Sequence, residues 1–203
     1  MGLEADCRID VDRERGEGRA HLEGDALVVR GGLRLRIPFS DVTAVSAEDG
    51  CLVVRFAGRR ASFFLGPRAA IWAEKIRSPK GLMDKLGVRP ESHVSLLGPF
   101  EPALLKEFKG RARAVSLGRV SKKAGLVFVV MTKRGDLGRL AGLRARLAPD
   151  GAIWVFWPKG QKGFREDDIR AALPQAGLVD VKVVSVSPLL SGLKIVIPRA
   201  QRP

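Results

Sequence analysis

The chain has 203 residues, of which 45% are hydrophobic, and a formal net charge of +14, so a packed, basic protein is expected and a disordered one is not. Its two cysteines are too few for a disulfide framework, and His21 and His93 lie too far apart in sequence to favour a zinc site or a catalytic triad. The longest apolar runs, such as LVFVVM, have the length of a strand and exclude a membrane-spanning helix.

The amino-terminal segment MGLEADCRIDVDRERGEG carries charges of both signs and has no apolar signal core. Asp6 stands where a myristoylation motif requires Ser or Thr. We therefore expect a soluble, cytoplasmic protein whose thiols, Cys7 and Cys51, are reduced and packed.

Short runs of alternating apolar and polar residues, separated by Gly, Asp and Glu, fill residues 19–66. This pattern predicts a meander of half-buried antiparallel strands. The pairs Asp49-Gly50 and Gly31-Gly32 predict tight hairpin turns, because these residue types adopt positive φ at low cost.

After Pro67, the apolar residues Ala69, Trp72, Ala73 and Ile76 recur at helical spacing. A meander that ends in one amphipathic helix resembles the pleckstrin-homology-like (PH-like) fold, in which the terminal helix plugs one end of a curved sheet. The resemblance implies that Trp72 is buried as part of that plug.

Pleckstrin-like domains that bind phosphoinositides carry basic residues near the first hairpin. We place that hairpin at HLEGDAL, where Glu23 and Asp25 are acidic. Phosphoinositide binding is therefore not expected, and another protein is the expected partner.

The segment SPKGLMDKLGVRP combines prolines and glycines around a short apolar turn, which is typical of a domain boundary. We predict a β-rich module at 1–79, a linker at 80–92 and a second domain at 93–203. In the second domain strands and helices alternate, and runs such as LVFVVM and AIWVFW are continuously apolar, as in parallel strands covered on both faces. The predicted fold class is an α+β PH-like sheet or barrel with a capping helix, followed by an α/β Rossmann-like domain.

The succession LAPDG, AIWVFW, a helix, GLVDVKVVSVS and SGLKIVIP is similar to the last third of a class I methyltransferase fold. Together with KLGVRP before the first strand and WPKG after a later one, it makes the chain resemble an uncharacterised bacterial family of unknown function. Methyltransferases of this fold hold S-adenosylmethionine with a glycine-rich turn after the first strand and a carboxylate after the second.

Those cofactor-binding elements are missing from this sequence. The first turn, LLGPFEP, has only Gly98, and it puts Glu101 where an anionic ligand would sit. The second strand ends in Gly118 and Arg119, and the following GRVSKKA is too short for the usual connecting helix. We predict a degenerate domain with no cofactor and no catalytic residue.

Ligands of open α/β sheets bind outside the carboxyl ends of the strands. Lysine and arginine side chains at that edge are suited to binding phosphate, and the ring of Trp157 is suited to stacking on a nucleobase. The alternative is that Trp157 only closes the sheet and the lysines stay solvated. The nearby carboxylates Asp136 and Glu166 fit helix starts better than acid–base roles, and no metal ligands are predicted. The candidate ligand- or anion-binding residues are Gly98, Arg119, Lys122, Lys123, Thr132, Lys133, Trp157 and Lys159.

The positive charge is unevenly distributed. Residues 1–80 carry 14 basic and 12 acidic residues, whereas 81–203 carry 22 and 10, and 106–146 contain twelve Lys or Arg against two acids. Such a surface attracts polyanions, although it also serves solubility.

Three functions stay open. The first is a non-enzymatic binding or adaptor protein. The second is nucleic-acid binding through the basic domain, with Arg119, Lys122 and Lys123 as contacts. The third is an atypical enzyme that uses S-adenosylmethionine or a nucleotide.

Overall fold

The computed structural model describes residues 3–202, which form two compact units divided between Lys80 and Gly81. The first unit is a curled antiparallel sheet of seven strands in the order β4-β3-β2-β1-β7-β6-β5, followed by one helix. Its elements are β1 Leu3–Val11, β2 Glu14–Leu22, β3 Ala26–Gly31, β4 Leu35–Pro38, β5 Val42–Glu48, β6 Cys51–Phe56, β7 Arg59–Phe64 and α1 Arg68–Arg77.

The central strand of this sheet, β1, corrects the meander predicted for residues 19–66. It pairs antiparallel with β2 and with β7, and it lies in the charged amino-terminal segment for which no strand was predicted. Ala5, Ile9 and Val11 are buried, while the charged residues between them occupy the outer face or the strand ends. Alternation with a period of two was therefore present, but charges of both signs obscured it.

The added strand also moves the first hairpin, whose turn is at Asp12 and Arg13. Glu23 and Asp25 lie instead at the turn between β2 and β3, so placing the first hairpin at HLEGDAL is wrong. There both carboxylates accept hydrogen bonds from Arg36, at 3.2 and 3.3 Å.

Two other local predictions for the first unit are confirmed, whereas Gly31-Gly32 does not form a tight turn, because residues 30–34 connect the paired residues of β3 and β4. Asp49 and Gly50 connect β5 and β6 with φ values of 47° and 75°, as a tight hairpin turn requires. On α1, Ala69, Trp72, Ala73 and Ile76 are buried, and Trp72 is 1% exposed within the core of the sheet.

The second unit is built on a mixed sheet of six strands in the order β12-β13-β11-β10-β8-β9. Strands β8, β9, β10 and β11 are parallel, and β13 runs antiparallel to β11 and β12. The strands are β8 His93–Leu97, β9 Ala114–Leu117, β10 Ala124–Val130, β11 Leu147–Pro158, β12 Val179–Ser185 and β13 Leu190–Val196; the helices are α2 Leu82–Leu86, α3 Pro102–Arg111, α4 Arg139–Arg144 and α5 Glu166–Ala172.

Helices cover both faces of this sheet, as the continuous apolar runs of β10 and β11 predict. Along β10, Val127 and Val129 pack in the core that contains α4 and α5, whereas Phe128 and Val130 pack in the core that contains α2 and α3. Among the residues described, no helix is both long and apolar enough to cross a membrane.

The segment predicted as a linker, 80–92, instead contains α2. Met83 and Leu86 are buried in the core of the second unit, and the Leu86 carbonyl accepts a hydrogen bond of 2.9 Å from Nε1 of Trp154. The flanking glycines and prolines mark the ends of this short helix, so they do not indicate a free linker.

We expect Trp154→Phe to destabilise the second unit more than Trp157→Phe does. Both changes delete the same atoms from buried residues of β11, but only Trp154 donates to a buried carbonyl. Leaving that acceptor unpaired adds about 1–3 kcal/mol to the loss of free energy of unfolding. Urea unfolding of the two variants measures this difference, and equal losses would show that the hydrogen bond contributes nothing.

Candidate functional site

The carboxyl ends of the parallel strands meet at one edge of the second sheet, here called the carboxyl edge. Most of the residues singled out in the sequence follow these strand ends directly. They are Gly98 after β8, Arg119 after β9, Thr132 and Lys133 after β10, and Trp157 and Lys159 at the end of β11.

Lys122 and Lys123 are not at the carboxyl edge, so placing them there is wrong. They directly precede β10, which puts them where the parallel strands begin, here called the amino edge. The chain crosses from one edge to the other within residues 118–123, because β9 and β10 run in the same direction on opposite sides of β8. Both lysines are exposed.

The turn at Gly98 is tight. Its φ is +101°, and a Cβ atom on this residue would lie 3.2 Å from Cβ and 3.3 Å from the carbonyl oxygen of Val130. Only glycine suits this combination of conformation and close approach. The neighbours Pro99 and Pro102 have no amide hydrogen, so this turn offers few donors to an anion.

The backbone amides after β10 are already bonded within the chain. One carboxylate oxygen of Asp136 accepts the amide hydrogens of Thr132, at 2.9 Å, and Lys133, at 3.3 Å. Asp136 therefore stabilises the start of the 3-10 helix Arg134–Gly138, as the sequence predicts, and it occupies these two backbone donors.

Trp157 does not act as a stacking platform. Its side chain is 6% exposed and packs in the core with Phe164 and Leu193. Of the two readings left open by the sequence, the structure supports the one in which Trp157 closes the sheet.

Lys159 is bonded within the chain at the same edge. Its ammonium group donates to Oγ of Ser185 at 2.7 Å and to the carbonyl oxygen of Ser187 at 2.6 Å. The side chain therefore ties the end of β11 to the hairpin formed by β12 and β13, so binding an anion here would compete with these bonds.

An ion pair that sequence reasoning missed joins the first turn of α5 to the segment that follows β10. Asp168 accepts hydrogen bonds from the Arg165 amide and from Nε of Arg134, both at 2.9 Å. The Arg165 amide and, to a smaller degree, the Arg134 guanidinium hold the pKa of Asp168 below its ordinary value of 3.8. The bond to the Arg165 amide confirms that this acidic segment is a helix start, but nothing local in the sequence signals the pair with Arg134.

The carboxyl edge contains one shallow depression of about 270 Å³. Its volume is below the range of about 300–1,000 Å³ that is typical of ligand pockets. Its lining residues are Trp157, Pro158, Gly160, Gln161, Lys162, Phe164 and Arg165.

The chemistry available to the two cysteines is limited. Cys7 and Cys51 are both free and half-buried, as expected. Burial, assisted by Asp6, raises the pKa of the Cys7 thiol to about 11, so it is a poor nucleophile near neutral pH. Across residues 3–202, no three His, Cys, Asp or Glu side chains are grouped to hold a metal ion.

Comparison with known proteins yields no family. No family model matches the sequence, and no curated protein matches it. Solved structures that resemble it include the N-terminal PH domain of human ARAP2, with 13% identity and a TM-score of 0.34 over 41% of this chain and 81% of that domain.

Other similar structures are methyltransferases. The SAM-dependent methyltransferase of Aquifex aeolicus is 14% identical, with a TM-score of 0.43 over 58% of this chain and 88% of its own. The 1,6-didemethyltoxoflavin-N1-methyltransferase of Burkholderia thailandensis is 14% identical, with a TM-score of 0.45 over 58% of this chain and 75% of its own. Similarity this low establishes neither a family nor an activity.

We expect Asp168→Asn to lower the midpoint of thermal unfolding at neutral pH. Because the pKa of Asp168 is below 3.8 in the folded protein, its stabilisation is present above that pH and is lost as the pH falls through the folded pKa. The difference from the unmodified protein should therefore shrink in acid. Asp167→Asn, at the exposed neighbouring carboxylate, is the matched control and should change little; a deficit independent of pH would contradict the role of the charge.

Proposed function

We propose that this protein is a non-enzymatic binding or adaptor protein, with a PH-like first unit and a degenerate, methyltransferase-like Rossmann second unit. The observation that carries the proposal is that three of the groups singled out at the carboxyl edge are engaged within the chain. Asp136 holds the amides after β10, Lys159 holds the β12–β13 hairpin, and Trp157 lies in the core.

Two further features support the absence of an adenosine cofactor. Arg119 stands after β9, where a carboxylate would be needed to hold the ribose hydroxyls. The connection 118–123 replaces the helix that usually joins parallel strands, and with it the wall of an adenine pocket.

For the first unit, we propose a protein partner in place of a phosphoinositide. Arginines and carboxylates alternate around the first hairpin: Asp12 accepts from Arg59 at 2.8 Å, and Asp10 lies 4.0 Å from Arg15. Because positive and negative charges balance around this hairpin, it attracts a polyphosphate headgroup only weakly. Ile71, which is 55% exposed on α1, offers an apolar contact suited to a protein.

Nucleic-acid binding is a second candidate for the basic second unit. Arg119, Lys122 and Lys123 are exposed, and within the part of the chain that the structure describes none of them forms an ion pair. Cations of this kind are free to contact phosphates and to release counterions.

Isothermal titration calorimetry of the full chain with S-adenosylmethionine, S-adenosylhomocysteine and ATP tests the proposal. We expect no saturable heat, and no stabilisation in a thermal scan. A ligand present at 100 times its Kd would stabilise the native state by about 2.7 kcal/mol, which is readily detected. A cofactor-dependent methyltransferase serves as the positive control, and micromolar binding of any of the three ligands would favour the atypical enzyme.

A further inference from the structure

A group of exposed basic residues lies at the amino edge of the second unit. Arg113 directly precedes β9, Lys122 and Lys123 precede β10, and Arg146 precedes β11. Strand β13 runs in the opposite direction, so Arg199, which follows it, reaches the same edge. These five exposed residues are here called the basic row.

Backbone geometry fixes the centre of the basic row. The Ala124 amide donates to the Arg146 carbonyl at 2.9 Å, and Nη1 of Arg146 donates to the Val120 carbonyl at 3.0 Å. These bonds hold the turn that carries Lys122 and Lys123 beside the start of β11. Neighbouring strands are about 4.8 Å apart, so cations at successive strand ends are spread along the edge.

Fewer acidic residues lie near the strand ends at the amino edge than at the carboxyl edge. The acids nearest the strand ends of the amino edge are Glu91, Asp150 and Asp180, and Asp180 is already paired with Arg170 at 3.1 Å. The carboxyl edge carries a larger set of acids in the turns and helix starts after β8, β10 and β11. They are Glu101, Asp136, Glu166, Asp167 and Asp168.

The exposed side chains of the second unit indicate which form of nucleic acid this surface matches. Proteins that bind single strands combine cations with exposed aromatic side chains on which bases stack. Among the residues described in the second unit, the exposed large hydrophobic side chains are Leu and Val, with no aromatic ring. A row of cations without stacking platforms matches a duplex, whose phosphates are outside and whose bases are already stacked.

We propose that the basic row binds the phosphate backbone of a nucleic-acid duplex without reading its sequence. This inference rests on the proposed binding function and gives it a partner and a surface. It also separates the residues suggested by the sequence, because Lys122 and Lys123 belong to the duplex-binding edge whereas Arg119 does not.

The test compares two charge-matched triple variants of the full chain. The first is Arg113→Gln, Lys122→Gln and Lys123→Asn, in which Asn suits the φ of +56° at position 123. The control is Arg119→Gln, Lys133→Gln and Lys162→Gln, which removes three exposed cations from the carboxyl edge. Arg146 and Lys159 are left intact because their side chains hold the fold.

Fluorescence anisotropy with a labelled DNA duplex is measured between about 50 and 200 mM salt. We expect the unmodified chain to bind with a steep salt dependence. The first triple should bind about tenfold or more weakly, with its salt slope reduced by roughly three, while the control stays close to the unmodified chain. Duplex RNA and single strands of the same sequence are titrated in parallel.

Several results would overturn the inference: no salt-dependent duplex binding, an equal or larger loss in the control triple, or tighter binding of single strands. Comparable binding of duplex RNA and duplex DNA supports recognition of the backbone alone. Circular dichroism verifies folding, and the single variants Lys122→Gln and Lys133→Gln repeat the comparison if a triple is unfolded. Binding of adenosylmethionine would contradict the proposed function without altering this outcome, so the two failures are distinguishable.

Discussion

The organisation of the second unit depends on the short connection between β9 and β10. These strands run in the same direction on opposite sides of β8, so the chain has to return from the carboxyl edge to the amino edge. Parallel strands usually need a dozen or so residues for this return, in most cases including a helix. Here residues 118–123 suffice, with Val120 packed on the core and bonded to Arg146.

This connection has opposite consequences for the two edges. At the carboxyl edge it leaves β9 and β10 without a connecting helix, and neighbouring polar groups such as Asp136 and Lys159 are satisfied within the chain. At the amino edge it delivers Lys122 and Lys123 to solvent without an acidic partner in the described residues. At the edge where open α/β sheets bind ligands, Asp136, Lys159 and Trp157 are thus held within the chain. The opposite edge presents Lys122 and Lys123 to solvent.

Periodic apolar patterns predicted much of the fold. The helical spacing of Ala69, Trp72 and Ile76 placed α1, and the continuous apolar runs placed β10 and β11 in a sheet covered on both faces. The prediction of strands and helices failed where charged residues, or glycines and prolines, concealed the apolar pattern. The alternation of β1 was masked by charges of both signs, and α2 is a short helix between glycines and prolines.

The candidate site was harder to predict because it depends on how the chain crosses between the edges of the sheet and on contacts between residues far apart in sequence. The sequence showed that GRVSKKA was too short for a helix, but not that its two ends therefore lie at opposite edges. The sequence could not predict whether Trp157 is exposed, because an indole ring can pack in a hydrophobic core or stack on a nucleobase. In the structure it is buried. The pair formed by Arg134 and Asp168 joins residues 34 positions apart, and propensity carries no information about such contacts.

Hydrogen–deuterium exchange of the full chain, with and without a DNA duplex, tests the division between the two edges most directly. Amides buried beneath a bound partner exchange more slowly because the complex excludes solvent and opposes local opening. The account predicts slowed exchange in peptides that span 120–124 and 146–151, with no change in those that span 98–101 and 132–136. Slowed exchange confined to the latter peptides would place the partner at the carboxyl edge and contradict the account.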